Sequence, residues 1–168
     1  TLTISGTGEV TRNDVSANIG SATNVVIEDG LTSIGNNAFR DCSSLESITI
    51  PDEVEEIIGC AFLGDNSFKE VIITENVRKI GSMAFSGCTN LANLDLPSLI
   101  SIGQYAFEGC TSLGTIAFPK SLSSIGKRAF SSTAMIEADL SGCSGLSLDE
   151  KSFYSNNALV KVALPDEM

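Results

Sequence analysis

Residues 34–51 read IGNNAFRDCSSLESITIP, and residues 102–119 repeat the same pattern as IGQYAFEGCTSLGTIAFP. The phenylalanine in this pattern returns at spacings of 23, 23, 22, 23 and 23 residues, at Phe39, Phe62, Phe85, Phe107, Phe130 and Phe153. A period in the twenties is typical of one small structural unit that is copied and stacked. Because a single unit cannot bury its apolar side chains alone, the fold is expected to belong to the whole array.

The second half of each copy alternates between apolar and polar residues. In residues 45–51, LESITIP, residues two apart share one face of a strand, which predicts that Ile48 and Ile50 point inward and Thr49 points outward. Pro51 then ends the strand, because proline cannot donate a hydrogen bond to a neighbouring strand. A second short extended run precedes the glycine that follows each isoleucine, as in residues 122–125, LSSI. Each copy is therefore predicted to contain two extended segments.

The alanine–phenylalanine pair and the polar residues after it suit one helical or 3₁₀ turn closed by glycine. Each copy is then one coil of strand, proline corner, extended run, glycine turn and helical turn. Strands of successive coils would stack in parallel at roughly 4.8 Å. These patterns predict an α/β repeat solenoid of six coils of about 23 residues, with parallel β-strands and short helical turns.

The ends of the chain and the fifth copy depart from the repeat. Residues 25–168 are predicted to form the solenoid and residues 1–24 an N-terminal β cap, with a strand or hairpin near Leu2 and Val10 and loops from residue 11 to 24. No linker interrupts the chain, which predicts a single domain. The fifth copy lacks one residue, so either Met135 or Ile136 takes the inward position and this coil is expected to be irregular. Residues 164–168 would begin a further coil, so the apolar end of the array has no cap. Either the natural protein continues beyond this fragment, which we favour, or the open end pairs with another molecule.

The composition argues against catalysis and against a bound metal or cofactor. The chain contains no histidine, which is the commonest acid–base group and metal ligand near neutral pH. A carboxylate pair could still hydrolyse glycosides. However, the densest acidic cluster, Asp52, Glu53, Glu55 and Glu56, is interpreted as a solvated corner of the second coil. Because zinc and calcium spacings are also missing, we expect neither an enzyme nor a structural metal, and no cofactor.

The net charge of −11 restricts the class of partner. An acidic surface repels phosphate backbones, so nucleic acid is disfavoured, as are anionic membrane surfaces. No apolar run approaches the roughly 18 residues that a spanning helix needs, so no membrane insertion is expected within this chain.

The chain has five cysteines, an odd number that weighs against a disulfide framework. Cys42, Cys88 and Cys110 share one repeat position, three residues after the phenylalanine. Neighbouring coils would place Cys88 and Cys110 about 5 Å apart, which is within the range that a disulfide permits. We favour the other interpretation, in which the cysteines form a column of small buried thiols.

The outward side chains of the main strand are the candidate binding residues, because solenoids usually bind through such a face. Two parallel columns are predicted to form this face: Ser47, Glu70, Asn93, Thr115 and Glu137, and beside them Thr49, Ile72, Asp95, Ala117 and Asp139. The columns would continue at Lys161 and Ala163. The predicted face is small, polar and mildly acidic, and Ile72 is its large apolar exception. The same positions would also suit ordinary solvated strand residues.

The repeated pattern Ile-Gly-x-x-Ala-Phe-x-x-Cys-x-x-Leu-x-x-Ile-x-Ile-Pro, as at residues 34–51, closely resembles that of the BspA-like leucine-rich repeat family. The opening LTISGTG and the segment VIEDGLTSIG at residues 26–35 are also similar to that family's N-terminal region. The resemblance implies a secreted or cell-surface location and a non-enzymatic role in protein binding or adhesion, with a host or matrix protein as the expected partner. Two alternatives stay open: a structural spacer that projects another binding domain, and a carbohydrate-binding module.

Overall fold

The computed structural model describes residues 1–167, which form coils stacked along one axis. Most coils contribute two strands, one on each of two sides of the stack, and neighbouring strands pair in parallel. After the second strand of each coil, the chain forms the turn that contains the recurring phenylalanine, and then enters the next coil. The inward side chains of both sheets and of this turn form one continuous apolar core.

The first sheet contains six parallel strands, in the spatial order β1-β3-β5-β7-β9-β11. These strands are β1 (Leu2–Ile4), β3 (Asn24–Ile27), β5 (Ser47–Thr49), β7 (Glu70–Ile72), β9 (Asn93–Asp95) and β11 (Thr115–Ala117). A separate parallel pair follows, β13 (Glu137–Asp139) and β15 (Lys161–Ala163). The ladder breaks between β11 and β13, where the fifth copy lacks a residue, and this confirms the irregular coil.

The second sheet continues through the irregular coil and contains seven parallel strands. These strands are β2 (Gly8–Val10), β4 (Leu31–Ile34), β6 (Glu56–Ile57), β8 (Lys79–Ile80), β10 (Ser101–Ile102), β12 (Ser124–Ile125) and β14 (Ser147–Leu148). Their register aligns the repeat isoleucines directly, with Ile34 opposite Ile57 and Ile57 opposite Ile80. The inward residues therefore lie over one another from coil to coil, as the period predicted.

The N-terminal segment differs from the prediction in two ways. Of the predicted strand or hairpin, the segment forms two strands but no hairpin, because β1 pairs with β3 and β2 pairs with β4, so each strand begins one of the two sheets. The predicted loop contains the helix α1 (Arg12–Ser16). Thr11 and Asp14 form a capping box, in which the Thr11 amide donates to Asp14 Oδ2 at 2.7 Å and the Asp14 amide donates to Thr11 Oγ1 at 3.4 Å. The division into a cap of residues 1–24 and a solenoid of residues 25–168 stays a prediction.

The turn around each phenylalanine is not helical, so the α/β class with short helical turns is not confirmed. The residues two before and two after Phe85 are left-handed, with φ 57° at Met83 and φ 74° at Gly87. A right-handed helix requires negative φ at every residue, which these positions interrupt. The Phe85 amide donates instead to Ala106 O in the next coil at 2.8 Å. Since α1 is the only helix among residues 1–167, the architecture is a parallel β-solenoid of about seven coils.

The core contains a single file of stacked aromatic rings, as expected from the phenylalanine period. Successive rings from Phe39 to Phe153 have centroids 4.9 to 5.6 Å apart and planes inclined by 4° to 10°. Burial of one such side chain stabilises the fold by about 1.5–3 kcal/mol. In the irregular coil, Met135 takes the inward position and is fully buried, whereas Ile136 is 56% exposed. Of the two residues predicted as alternatives, Met135 is therefore the core residue of this coil.

Candidate functional site

The ten predicted binding residues all lie on the outward side of the first-sheet strands, and we call this surface the outer face. Its members are Ser47, Thr49, Glu70, Ile72, Asn93, Asp95, Thr115, Ala117, Glu137 and Asp139. The strand register sets Ser47 opposite Glu70 and Thr49 opposite Ile72. It also sets Asn93 opposite Thr115 and Asp95 opposite Ala117. Between these pairs, Glu70 lies opposite Asn93, and Ile72 and Asp95 border the same depression, so the two columns extend over four coils.

The irregular coil divides the outer face. Glu137 and Asp139 lie on β13, which pairs with β15 and does not pair with β11. Their neighbours in register are Lys161 and Ala163. These two acidic residues are exposed like the others, but they belong to a separate two-stranded unit. The eight residues from β5 to β11 form the uninterrupted part.

Sequence reasoning missed the start of this surface. Asn24 lies opposite Ser47, and Val26 lies opposite Thr49, so the columns begin one coil earlier on β3. Both side chains are exposed. The signal was present in the sequence, because Val25 and Ile27 alternate with Asn24 and Val26 in the same way as the residues of the later strands.

The apolar centre of the outer face is Ile72, whose surface is 58% exposed. It borders a shallow depression of about 340 Å³, whose rim also includes Glu70, Asn93 and Asp95. A large aliphatic side chain on a rigid strand loses little conformational freedom when a partner covers it, and covering it removes apolar surface from water. Ile72 is therefore the strongest apolar contact point that this face offers.

The outer face carries acidic groups without basic partners. Among residues 1–167, the four ion pairs join other side chains, and Glu70, Asp95 and Glu137 take part in none of them. The Ser141 hydroxyl and amide donate to Asp139 Oδ1 at 2.6 and 3.0 Å, and these two bonds lower the pKa of that carboxyl. At neutral pH the outer face consequently carries negative charge on β7, β9 and β13, whereas its residues on β5 and β11 are uncharged.

Another depression lies on the second sheet and not on the outer face. It has a volume of about 370 Å³ and is lined by small residues that include Ser101, Ser124, Gly103 and Gly126. The glycines have a packing reason, because a Cβ at Gly103 would lie 2.5 Å from Ser82 N, and one at Gly126 would lie 2.7 Å from Gln104 N. The groove therefore follows from the close approach of adjacent coils, and it gives no argument for a ligand.

The remaining candidates for chemistry are dispersed. Within residues 1–167, no three histidine, cysteine or acidic side chains lie close enough together to hold a metal ion. No helix of that part of the chain has the length and apolar character needed to cross a bilayer. The acidic residues Asp52, Glu53 and Glu55 are exposed and Glu56 is half-buried, which agrees with the interpretation of a solvated corner.

The five cysteines are free thiols, as we favoured, and four of them are buried. Cys88 Sγ donates to Phe62 O and Cys110 Sγ donates to Phe85 O, each at 3.1 Å. Burial raises the pKa of the Cys110 thiol to about 12 and raises that of the Cys88 thiol as well. These thiols are therefore packing groups with very little of the reactive thiolate form.

Three solved structures share this architecture. A leucine-rich cell surface protein from Faecalibacterium prausnitzii matches with a TM-score of 0.63 and 25% identity, over 85% of this chain and 48% of that one. The pneumococcal vaccine antigen PcpA matches with a TM-score of 0.74 and 24% identity, over 86% of this chain and 41% of that one. The T. pallidum leucine-rich repeat protein TpLRR matches with a TM-score of 0.56 and 28% identity, over 99% of this chain and 79% of that one.

The chain thus spans less than half the length of the first two of these proteins. Among curated proteins, no sequence matches it with significant similarity. The model of the BspA type leucine-rich repeat region, with six copies, matches residues 12–101 and 94–168, which is most of the chain. The stacked coils, the file of phenylalanines and this match lead to one conclusion: the chain belongs to the BspA-type leucine-rich repeat family.

Proposed function

We propose that this chain is a non-enzymatic protein-interaction module that binds its partner through the outer face. The observation that carries the proposal is the continuity of this face, on which exposed residues of β5 to β11 stand in register around Ile72. Each strand is held by its neighbours, so the side chains that meet a partner are already in place before binding. Such preorganisation reduces the entropy lost on association.

The chemistry of the face indicates the kind of partner. Glu70 and Asp95 are exposed carboxylates without basic partners among residues 1–167, and they border Ile72. A surface of this kind complements a protein segment with lysine or arginine side chains on either side of an apolar residue. Opposite charges accelerate the encounter, and the covered apolar side chain slows dissociation. The partner is therefore a protein with a basic contact surface.

A catalytic role has little support from the chain's own residues. The sequence has no histidine, and the outer-face carboxylates are exposed to water, where carboxyl groups lack the desolvation that tunes an acid–base catalyst. The depression around Ile72 is shallow and open. The face suits contact with a broad partner surface better than enclosure of a small substrate.

A location outside the cell, either on its surface or secreted, is part of the same proposal. It is supported by the F. prausnitzii relative, which is described as a cell surface protein. A protein at such a location would meet host or matrix proteins. This chain would select among them by the basic contact surface of the partner.

The proposal is tested by a binding screen against matrix and cell-surface proteins, followed by charge reversal on the outer face. The triple variant Glu70→Lys, Asp95→Lys, Asp139→Lys is expected to lose at least tenfold in affinity. Its matched control is Asp52→Lys, Glu53→Lys, Glu55→Lys, which makes the same change in net charge at the solvated corner and is expected to bind nearly normally.

The possible results separate the candidate functions. Equal binding by both triple variants and the unaltered chain would exclude the outer face as the binding surface. The absence of any protein partner in the screen would favour a spacer that projects another domain. Binding restricted to glycans in a parallel array would favour carbohydrate recognition and would contradict the proposal.

A further inference from the structure

A column of polar side chains runs through the interior of the phenylalanine turns. It consists of the third residue after each stacked phenylalanine, and we call it the turn column: Cys42, Asp65, Cys88, Cys110, Thr133 and Asn156. Asp65 is the acidic member of this column, and its surface is fully buried. A buried carboxylate is costly unless a partner compensates its charge, so Asp65 requires an explanation.

Other members of the turn column act as hydrogen-bond donors. Three of them donate to the carbonyl of the stacked phenylalanine in the preceding coil, whereas the Thr133 hydroxyl donates to Asn156 Oδ1. Cys88 Sγ reaches Phe62 O at 3.1 Å, and Cys110 Sγ reaches Phe85 O at 3.1 Å. In the last coil, Asn156 Nδ2 reaches Phe130 O at 2.7 Å. The preceding phenylalanine carbonyl is therefore an acceptor that the column repeatedly satisfies.

Asp65 occupies the same position one coil after Phe39. The Phe39 carbonyl accepts the Cys42 amide at 3.2 Å, as later phenylalanine carbonyls accept the amide of their own column residue. At Phe62 the carbonyl oxygen accepts two hydrogen bonds, one from the Asp65 amide and one from Cys88 Sγ. The second lone pair of the Phe39 carbonyl oxygen is the equivalent of the one that accepts from Cys88 Sγ. Neither carboxyl oxygen of Asp65 has a hydrogen-bond partner among residues 1–167. An ionised carboxylate could not repair this arrangement, because it accepts hydrogen bonds and has none to donate.

We propose that Asp65 is held in the folded chain as a neutral carboxylic acid that donates its proton to the Phe39 carbonyl, and that ionisation of this acid loosens the junction between the first two phenylalanine turns. In its neutral form the side chain does what Cys88 and Asn156 do in their coils. In its charged form it leaves two buried oxygens without a hydrogen-bond donor among residues 1–167. The junction is thereby a pH-sensitive element of the solenoid.

The charged and titratable groups around Asp65 are consistent with a neutral acid. They are Asp41 and Cys42 in the preceding turn, Cys88 in the following turn and Arg12 on α1. Burial raises the pKa of Asp65 to about 8, the Cys42 amide and Arg12 lower it, and the like charge of Asp41 raises it. The Cys42 amide donates to Phe39 O at 3.2 Å, and neither carboxyl oxygen of Asp65 accepts a hydrogen bond from it.

Arg12 is engaged elsewhere and forms no ion pair with Asp65. Its Nη1 donates to Arg40 O at 2.6 Å and to Ala38 O at 3.4 Å, and it also lies 3.7 Å from Cys42 Sγ. The guanidinium thus closes the N-terminal end of the turn column by binding carbonyl groups. The Cys42 and Cys88 thiols do not supply a positive charge, and their own pKa values are raised by burial.

The direction of the pH effect follows from proton binding. The unfolded chain releases the Asp65 proton near pH 3.8, whereas the folded chain, with a pKa of about 8, retains it to higher pH. Between these values the folded state binds more protons, so its stability falls as the pH rises. One proton changes the folding equilibrium constant by up to about tenfold per pH unit, and the change ends near pH 8, where both states are ionised.

The test compares the unaltered chain with Asp65→Asn by urea unfolding at intervals from about pH 5 to about pH 9. Asparagine has nearly the shape of aspartate and already makes this hydrogen bond at Asn156, so the variant keeps the donor without the titration. We expect the ratio of the folding constants, variant over unaltered chain, to rise between pH 5 and 8 and then to level off. The matched control is Asp95→Asn on the outer face, for which the ratio should not vary over this range. A constant ratio for Asp65→Asn would overturn the proposal.

A second measurement follows the ionisation of the carboxyl directly, without unfolding the chain. Carboxyl ¹³C chemical shifts of the folded protein should include one aspartate that titrates near pH 8, assigned through its loss in Asp65→Asn or, should that variant not fold, in Asp65→Cys. Cysteine is the residue that this column uses at Cys88 and Cys110. If every aspartate of the folded protein titrated near pH 4, the proposal would be wrong.

Discussion

The rings of Phe62 and Phe85 lie almost parallel, with centroids 4.9 Å apart and planes inclined by 8°. The two rings come from neighbouring coils, and each covers one face of the other ring. Phe68 packs against both rings, at centroid distances of 5.1 and 6.2 Å. This arrangement shows why the coils depend on one another: most of the apolar surface of one repeat is buried by the next.

Replacement of a ring in the middle of this file should therefore cost more than the same change at its end. Phe85→Ala is expected to lower the free energy of unfolding by about 3–5 kcal/mol, because it removes a fully buried ring and leaves a cavity. Phe153→Ala changes the same repeat position where the ring is only half-buried, and its cost should be clearly smaller. Urea unfolding monitored by circular dichroism measures both. Equal losses would contradict the mutual burial of neighbouring coils.

The glycine after each repeat isoleucine should be essential where adjacent backbones approach most closely. Gly103→Ala places a Cβ 2.5 Å from Ser82 N and 2.6 Å from Gly81 C, so we expect a loss of about 1–3 kcal/mol of unfolding free energy from overpacking. Gly114→Ala is the control, because its nearest neighbour would be Ala134 O at 3.9 Å. That substitution should change stability by no more than about 1 kcal/mol, in either direction. A Gly103→Ala protein as stable as the Gly114→Ala protein would show that the coils can separate without cost.

Ile72 should matter for binding and not for folding. With 58% of its surface exposed, Ile72→Ser is expected to change the unfolding free energy by less than about 0.5 kcal/mol. Affinity for a partner should fall by about 1–3 kcal/mol if Ile72 is an anchor, and titration calorimetry would measure it. The control is Ile136→Ser, which removes an isoleucine of similar exposure, 56%, beside β13. Equal affinities of the two variants would remove Ile72 from the proposed contact.

The buried thiols should resist modification until the chain unfolds. The pKa of Cys110 is raised to about 12, so at pH 8 its thiolate fraction is on the order of 10⁻⁴, and alkylation in the folded state should be very slow. Cys60 is half-buried and should react first. Intact-mass measurement should find all five thiols labelled after denaturation. Fewer than five labels without a reductant would reveal a disulfide and contradict the structure.

Much of the fold could be predicted because the same type of residue recurs at the same position in every copy of the repeat. The alternation in residues 45–51 correctly placed Ile48 and Ile50 inside and Thr49 outside, since a strand has only two faces. The same alternation identified the outward columns that form the outer face. Their role in binding is untested, because an exposed strand residue has the same pattern whether or not a partner covers it.

Other features could not be predicted from single positions. Met83 has no local reason to adopt a left-handed conformation, which side chains with a Cβ normally avoid. Its amide donates to Gln104 O of the next coil at 2.8 Å, so a long-range hydrogen bond compensates the local strain. The expectation of a helical turn is not confirmed for this reason. The helix α1 was missed although its signal, Thr11 followed by Asp14, was visible in the sequence.

The amino-acid sequence alone determined the period, the inward and outward sides of each strand and the composition of the outer face, because these depend on side-chain spacing along one chain. Only the tertiary structure decided which of Met135 and Ile136 enters the core, how the turns bond from coil to coil, and that Asp65 is fully buried without a hydrogen-bond partner among residues 1–167. Those properties depend on what the neighbouring coil places against each residue. That contact forms only after the coils have stacked.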